Sequence, residues 1–128
     1  MKSGNELHIS NLEWIVLRRL WNQKPLRIKK IYELNADGNS ITSNTIRTAI
    51  LRLMNKGVVS ADKTSYPYHY FVVLDIDICQ KNEVNRFIQR YFGGSTVKCV
   101  EYLLNTRSFS VEECNELLEI LHRRKRLE

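Results

Sequence analysis

The segment of residues 43–57, SNTIRTAILRLMNKG, constrains this chain most, because as a helix it has two faces of different chemistry. At about 100° per residue, five of its apolar side chains fall on one arc: Ile46, Ala49, Ile50, Leu53 and Met54. The opposite arc carries no carboxylate and includes Asn44, Thr45, Thr48, Arg52 and Asn55, with Arg47 at its edge. Because carboxylates repel phosphates, this acid-free face predicts contact with nucleic acid.

The distribution of charge supports an anionic partner for the first part of the chain. The net charge is +6 over 128 residues, and all of the excess lies in residues 1–74, which contain 11 Lys/Arg and 5 Asp/Glu. Residues 75–128 contain nine of each and are neutral. This asymmetry predicts a basic module that binds an anion and a neutral module with another role.

The order of the predicted elements indicates a winged helix. Ser10 and Glu13 fit a capping box that opens a helix to about Trp21, with Trp14 and Trp21 directed toward a core. A short helix over 27–34 follows, and a turn cluster over 35–39 precedes the third helix, which begins near Thr42 or Ser43. Gly57 predicts a left-handed cap, and residues 58–61 and 68–74 read as two strands of a hairpin. Three helices and a hairpin make a helix-turn-helix variant in which the hairpin loop is the wing.

Residues 75–128 read as three further helices with apolar stripes. About 50 residues cannot bury such stripes well on their own, so we predict a helical dimerisation module that packs against a second copy. The alternative is that the stripes fold back on the first module of the same chain. The residues expected at the dimer contact are Phe87, Tyr91, Val100, Leu104, Leu117, Leu118 and Leu121. The predicted fold is thus mainly α with a small β-hairpin. It has two domains, a winged-helix DNA-binding domain over residues 1–74 and a helical dimerisation domain over residues 75–128.

Several classes of protein are disfavoured by composition. The first ten residues have no apolar core of a signal peptide and no apolar run approaches the length of a membrane span, which predicts a cytoplasmic protein. Cys79, Cys99 and Cys114 are widely spaced, and we expect reduced, mostly buried thiols rather than disulfides or a metal site. No glycine-rich phosphate loop or catalytic constellation is visible, so we expect neither enzymatic activity nor a cofactor.

Several short motifs together resemble the penicillinase repressor family (BlaI/MecI/CopY-like). The matching segments lie at 12–14, 20–21, 45–48, 52–53, 56–57, 68–71, 87–95 and 113–121, so the resemblance covers about residues 8–122. It implies a homodimeric repressor of a resistance operon that binds a dyad-symmetric operator. It also implies release by cleavage inside the dimerisation module, after a membrane sensor-protease detects a β-lactam.

Two positions depart from the family pattern. The copper-responsive branch has a C-terminal cluster of CxC motifs, whereas the tail after Leu121 has no cysteine, which disfavours copper sensing by that route. The β-lactam branch is cleaved at an Asn-Phe bond, and the position that we match to it here is Tyr102-Leu103. This difference predicts an altered protease specificity or another route of release.

The predicted DNA-binding residues lie on the third helix and at the wing tip: Ser43, Asn44, Thr45, Arg47, Thr48, Arg52, Lys63 and Thr64. Arginine can bind guanine bidentately or clamp a phosphate, and Thr48 offers a methyl group to thymine. One of the first-turn residues 43–45 is expected to cap the helix rather than read DNA. Two alternatives stay open: Arg52 can pair with Glu13 or Glu33, and the wing tip can be a solvated turn.

Two other functions compete with an operator-binding repressor. One is a metal- or redox-responsive regulator that uses Cys79, Cys99 or Cys114. The other is an adaptor whose winged helix binds another protein, which the acid-free face disfavours. Tyr68, Tyr70 and Phe71 lie on one predicted strand, and we expect them in the hairpin core rather than stacked on bases.

Overall fold

A computed structural model describes residues 7–127, and the chain divides into two compact units, residues 1–85 and 86–128. Its elements are α1 (Asn11–Leu20), α2 (Ile28–Glu33), α3 (Ser43–Asn55), β1 (Val59–Asp62), β2 (His69–Val72), α4 (Ile76–Phe92), α5 (Thr96–Thr106) and α6 (Val111–Arg126). The prediction of a mainly helical chain with one small hairpin is confirmed. Residues 1–6, on which most of the signal-peptide prediction rests, lie outside the described residues.

Local sequence signals set both ends of α3. Thr42 caps the helix, and its side-chain oxygen accepts a hydrogen bond of 3.1 Å from the backbone N–H of Thr45. At the other end Gly57 has φ of 77°, and Val58 N–H donates to the Leu53 carbonyl over 2.9 Å. This is the left-handed glycine cap that the sequence predicts, because a Cβ at positive φ would be strained.

The apolar arc of α3 is the centre of the core in the first unit. Ile46, Ala49, Ile50 and Leu53 are all buried there. They belong to a cluster that α1, α2, the hairpin and the start of α4 complete, through Val16, Leu17, Leu20, Ile31, Val58, Val59, Ile76 and Cys79. Trp14 of α1 and Trp21, which follows its last residue, are only partly buried at the edge of this core, so their predicted inward orientation holds only in part.

The hairpin is antiparallel, with Val59 opposite Val72 and Asp62 opposite His69. A third extended piece joins it outside the named strands: Leu26 and Tyr70 exchange backbone hydrogen bonds of 2.9 and 2.7 Å. This bridge attaches the segment before α2 to the base of the wing, and therefore fixes where α2 begins relative to the hairpin.

A buried arginine fixes the turn between α2 and α3. The Arg19 side chain is 3% exposed, and its Nε and Nη2 atoms donate to the two carboxylate oxygens of Asp37 over 2.9 and 3.0 Å. It also donates to the backbone carbonyls of Ile31 and Asn39 over 3.1 and 2.6 Å. Hydrogen bonds from Arg19 and Asn39 hold the pKa of Asp37 well below its usual range.

A second ion pair ties the other end of α3 to α1. Glu13 is buried, and its carboxylate accepts hydrogen bonds from Lys56 Nζ and, over 2.8 Å, from the Ser10 hydroxyl. Burial alone would raise the pKa of Glu13, but the hydrogen bonds from Lys56 and Ser10 outweigh it, and the pKa is lowered. Ion pairs to α1 thus fix the turn before α3 and the residue that ends it.

The second unit has well-formed helices and little core of its own. Ser110 and Glu113 make the predicted capping box at the start of α6, with hydrogen bonds of 3.0 Å in each direction. Phe92 contacts Phe87 and Tyr102, with ring centroids 5.9 and 5.6 Å apart. Among the described residues of this unit, the only buried hydrophobic side chain is that of Cys99.

The Arg19–Asp37 pair predicts a defined pH dependence of stability. Since the pKa of Asp37 is lowered in the folded state, its stabilisation is present above the unfolded pKa of about 3.9 and is lost as pH falls below it. We expect Asp37→Asn to lower the free energy of unfolding by about 1 to 2 kcal/mol at pH 7, with the difference from wild type shrinking between pH 5 and pH 2.

Urea unfolding followed by tryptophan fluorescence measures this effect in the right unit, because both tryptophans, Trp14 and Trp21, lie in it. Glu112→Gln removes a carboxylate from the other unit and serves as the control. A wild-type to Asp37→Asn difference that stays constant down to pH 2 would contradict this account of the turn.

Candidate nucleic-acid interface

The outer face of α3 is open to solvent and carries the side chains that the sequence predicts. Ser43, Asn44, Arg47, Thr48 and Arg52 are exposed, and Thr45 is half-buried. Asn44, Thr45, Thr48 and Arg52 line one shallow groove of about 310 Å³ together with Ser10, Leu12, Glu13 and Ala49. The structure therefore brings four of the predicted residues to one surface, on the opposite side of the helix from the core.

Hydrogen bonds within the helix orient this face. Arg47 Nη1 donates to the Asn44 side-chain oxygen over 3.2 Å, and the Thr48 hydroxyl donates to the Asn44 carbonyl over 3.0 Å. Thr48 is thereby left with a methyl group and an accepting oxygen lone pair for a partner, while Arg47 keeps further N–H donors. The cap is Thr42, so the expectation that one of residues 43–45 caps the helix was wrong.

Arg52 does not take either of the ion pairs considered for it. The Glu13 carboxylate accepts hydrogen bonds from Lys56 and Ser10. The Glu33 Oε2 atom lies 3.8 Å from Lys30 Nζ. The Arg52 side chain is exposed on the outer face of α3. Its charge is therefore available to a partner of this helix.

The wing tip has a mixed charge. Lys63 and Thr64 are both exposed, and Lys63 Nζ lies 5.8 Å from the centroid of the Tyr68 ring. Thr64 donates its hydroxyl and its backbone N–H to Asp62 over 2.7 and 3.0 Å. These hydrogen bonds lower the pKa of Asp62 and keep a negative charge at the tip. Thr64 is thus a weaker donor for a phosphate than its sequence position suggests, because its hydroxyl is already engaged.

A second groove, which the sequence analysis did not identify, lies between α2, α3 and the wing. This wing groove has a volume of about 480 Å³ and is lined by Arg27, Ile28, Lys29, Ser43, Arg47, Tyr66, Pro67, Tyr68 and Tyr70. Tyr70 packs against the core as expected, whereas Tyr68 is half-buried and lines this groove. The bridge from Leu26 to Tyr70, a non-local contact, is what brings Arg27 beside the wing.

In the second unit most of the predicted dimer residues are exposed. Phe87, Tyr91, Val100, Leu104, Leu118 and Leu121 are exposed, and Leu117 is half-buried. Val100, Leu104 and Leu121 line one largely apolar depression with Val97, which is 77% exposed. Tyr102 and Leu103 lie inside α5 rather than in a loop.

The three cysteines are free and differ in exposure. Cys79 is buried in the core of the first unit, where burial and then the charges of Asp75 and Glu83 raise the pKa of its thiol. Cys99 is buried in the second unit and Cys114 is exposed, so the thiols are free and mostly buried, as predicted. Within residues 7–127, no group of three or more His, Cys, Asp or Glu side chains is placed to hold a metal ion. No helix in that range is long and apolar enough to cross a membrane.

The sequence of this chain is similar to those of known transcriptional repressors. Residues 9–123 match the penicillinase repressor family. The penicillinase repressor of Staphylococcus aureus is 24% identical over 120 residues, which is 94% of this chain and 95% of that protein. The methicillin resistance regulatory protein MecI of Mammaliicoccus sciuri is 30% identical over 117 residues, 91% of this chain and 94% of that protein.

A solved structure of the DNA-binding domain of the repressor BlaI is also similar, with a TM-score of 0.49 and 22% identity, covering 61% of this chain and 93% of that one. The family match spans nearly all of the chain, from the cap of α1 into the last turn of α6. The chain therefore belongs to the penicillinase repressor family, a family of transcriptional repressors rather than enzymes.

Proposed function

We propose that the chain represses transcription as a homodimer, with each protomer placing α3 in a major groove of a dyad-symmetric operator. The observation that carries this proposal is the outer face of α3, which is exposed, acid-free and backed by a buried apolar face. Helix-turn-helix repressors place such a helix in the groove with its first turns against the base edges. Asn44, Arg47 and Thr48 lie in these turns, and Arg52 follows one turn later.

The charge of the chain favours DNA over a protein as the partner of this face. Residues 1–74 carry the whole net charge of +6, and neutralising phosphates with Lys and Arg releases counterions. Binding should therefore weaken steeply with salt. We assign residues 1–74 to DNA binding and residues 75–128 to dimerisation.

The exposure of the second unit supports a second copy as its partner. Apolar side chains on α4, α5 and α6 remain open to solvent, among them those of Val97 and Leu121, which are 77% and 62% exposed. Monomeric proteins seldom leave such surfaces uncovered. Closed twofold symmetry would also match the symmetry of an operator, because two α3 helices then meet two half-sites.

We propose which genes the chain regulates from the names of its relatives. The names of two of them refer to penicillinase and to methicillin resistance, and we infer that this chain controls a β-lactam-resistance operon. The bond matched to the cleaved bond of the family, Tyr102-Leu103, lies in the middle of α5. In a helix the backbone N–H and C=O groups are hydrogen-bonded to one another, so a sensor-linked protease would have to unwind α5 before it could cleave this bond.

The assignment of α3 predicts the effect of two substitutions. Arg47→Ala together with Thr48→Ala should weaken operator binding by about 10- to 100-fold, since each removes a contact to a base or phosphate. Fluorescence anisotropy with a labelled promoter duplex measures the change. Arg18→Ala, which removes an exposed charge from α1 instead, is the matched control. Unchanged affinity of the double variant would contradict the assignment.

The proposed dimer predicts that a charge among the apolar side chains Leu117, Leu118 and Leu121 of α6 dissociates the protein. Leu118→Asp places a carboxylate on a side chain that is 54% exposed in one chain, so the fold of that chain should tolerate it while the interface should not. We expect a monomer by sedimentation equilibrium and weaker operator binding. Asn115→Asp adds the same charge to α6 away from the stripe and should remain a dimer; a dimeric Leu118→Asp would argue against this interface.

A further inference from the structure

We propose that Glu83 is a positioning residue for operator binding, because it fixes the direction in which α4 leaves the first unit. It does so by a contact with the N-terminal strap, which we define as residues 7–10. The inference rests on the proposed function, since this direction matters only if two α3 helices bind two half-sites of one operator. The contact itself includes no residue of α3 or of the wing.

The carboxylate of Glu83 joins α4 to the N-terminal strap across 74 positions of sequence. Ile9 donates its backbone N–H to Glu83 Oε1 over 2.9 Å, and His8 Nδ1 lies 3.4 Å from the same oxygen. The side chains of Leu7 and Ile9 are buried, with 6% and 2% exposed, in the core cluster that also contains the start of α4. The strap is thus both packed into the core and hydrogen-bonded to α4.

The N-terminal strap leads directly into α1. Ser10 follows Ile9 and caps this helix, since its hydroxyl oxygen accepts a hydrogen bond of 3.2 Å from the Glu13 backbone N–H. No residue lies between the one that is bonded to Glu83 and the one that caps α1. Because α1 packs against α3 in the core, Glu83 ties α4 to the pair of helices that holds the outer face of α3 in place.

A second attachment holds the start of α4. Val73 and Leu74, which join β2 to α4, donate their backbone N–H groups to the Val58 carbonyl over 2.8 and 3.3 Å. Ile76, in the first turn of α4, is buried. Glu83 lies about 10 Å further along the helix axis, at 1.5 Å per residue. A helix held at one point can pivot, whereas two attachments this far apart fix its direction.

The direction fixed at Glu83 is passed on by α4 itself. This helix is uninterrupted over 17 residues, and the boundary between the two units falls within it, after residue 85. In the proposed dimer, the chain that runs from each α3 to the contact with the partner copy passes through α4. Bivalent binding is strongest when the connection matches the span between the two sites. A fixed α4 therefore favours one spacing of the half-sites, whereas a loose α4 would accept several.

Two substitutions separate the hydrogen bond of Glu83 from its charge. Glu83→Ala removes the acceptor of the N–H of Ile9, a buried residue, and an unpaired buried N–H is costly, so the N-terminal strap should detach from α4. Glu83→Gln keeps an accepting oxygen and should retain this hydrogen bond without the ion pair to His8. Gln80→Ala changes an exposed side chain of the same helix and is the matched control.

The test measures the affinities of the full-length proteins by fluorescence anisotropy on three duplexes. The first carries the operator that footprinting maps upstream of the chain's own gene, and the second carries that operator with two base pairs inserted between its half-sites. The insertion moves one half-site by about 7 Å and turns it by about 70°. The third duplex carries one half-site alone, so it reports whether the winged helix and α3 survive each substitution.

We expect the wild-type, Gln80→Ala and Glu83→Gln proteins to bind the lengthened operator about 30-fold more weakly than the operator itself. The Glu83→Ala protein should bind the operator about tenfold more weakly than wild type, and its affinities for the operator and the lengthened operator should differ by less than about threefold. Its affinity for the single half-site should equal that of the wild type, because α3 is unchanged.

The failures of this inference and of the proposed function can be told apart. A Glu83→Ala protein that discriminates against the lengthened operator as wild type does overturns the inference and leaves the proposed function standing. An equal loss of affinity for the operator and for the single half-site also overturns it, since Glu83 would then support only the fold of the first unit. A wild-type protein that binds the operator no more tightly than one half-site overturns both.

Discussion

The buried contact between the apolar arc of α3 and the rest of the first unit is the interaction on which the remaining structure depends. Ile46, Ile50 and Leu53 are fully covered, and burying each such side chain contributes about 1.5 to 3 kcal/mol. Their burial fixes which face of α3 points outward. The polar face can then carry cations and hydroxyls at no cost to the core, so folding and the proposed DNA recognition do not compete in this helix.

Two ion pairs fix the position of α3 relative to α1. Arg19 holds the turn before the helix through Asp37 and the backbone, and Glu13 holds Lys56 at its end. In each pair the two charges neutralise one another, and Glu13, which lines the groove beside the outer face of α3, has a side chain that is only 3% exposed. A buried pair costs desolvation and is weak evidence of stability, but it specifies geometry. Here that geometry is the orientation of the first turns of α3, where residues expected to read bases lie.

Much of this was predictable from the sequence, because it follows from local patterns. The amphipathic period of α3, the glycine cap at Gly57 and the capping box at Ser110 each depend on residues within a few positions of one another. The exposed outer face of α3 followed from the same period.

What could not be predicted depends on contacts between distant segments. The Arg19 clamp joins residues 18 positions apart, and the bridge from Leu26 to Tyr70 spans 44. No periodicity indicates such contacts, so the local sequence predicts only that Arg27 begins a helix and that Tyr66 lies in the hairpin loop. The cap at Thr42 was one of two equivalent hydroxyl residues, and only the backbone geometry distinguishes it from Ser43.

The second unit shows the same division between local and non-local information. Its helices and apolar stripes are local features, whereas what covers the stripes is a property of the assembly. The partner copy that we propose would cover Val97, Leu118 and Leu121, which are exposed in a single chain.

The most direct test of the central claim is hydroxyl-radical footprinting of the purified protein on the DNA just upstream of its own gene, with nonspecific competitor present. The account predicts two protected half-sites related by a dyad, one or two helical turns apart, that fade as salt is raised. Protection no stronger than on unrelated DNA, there and across other candidate promoters, would contradict it.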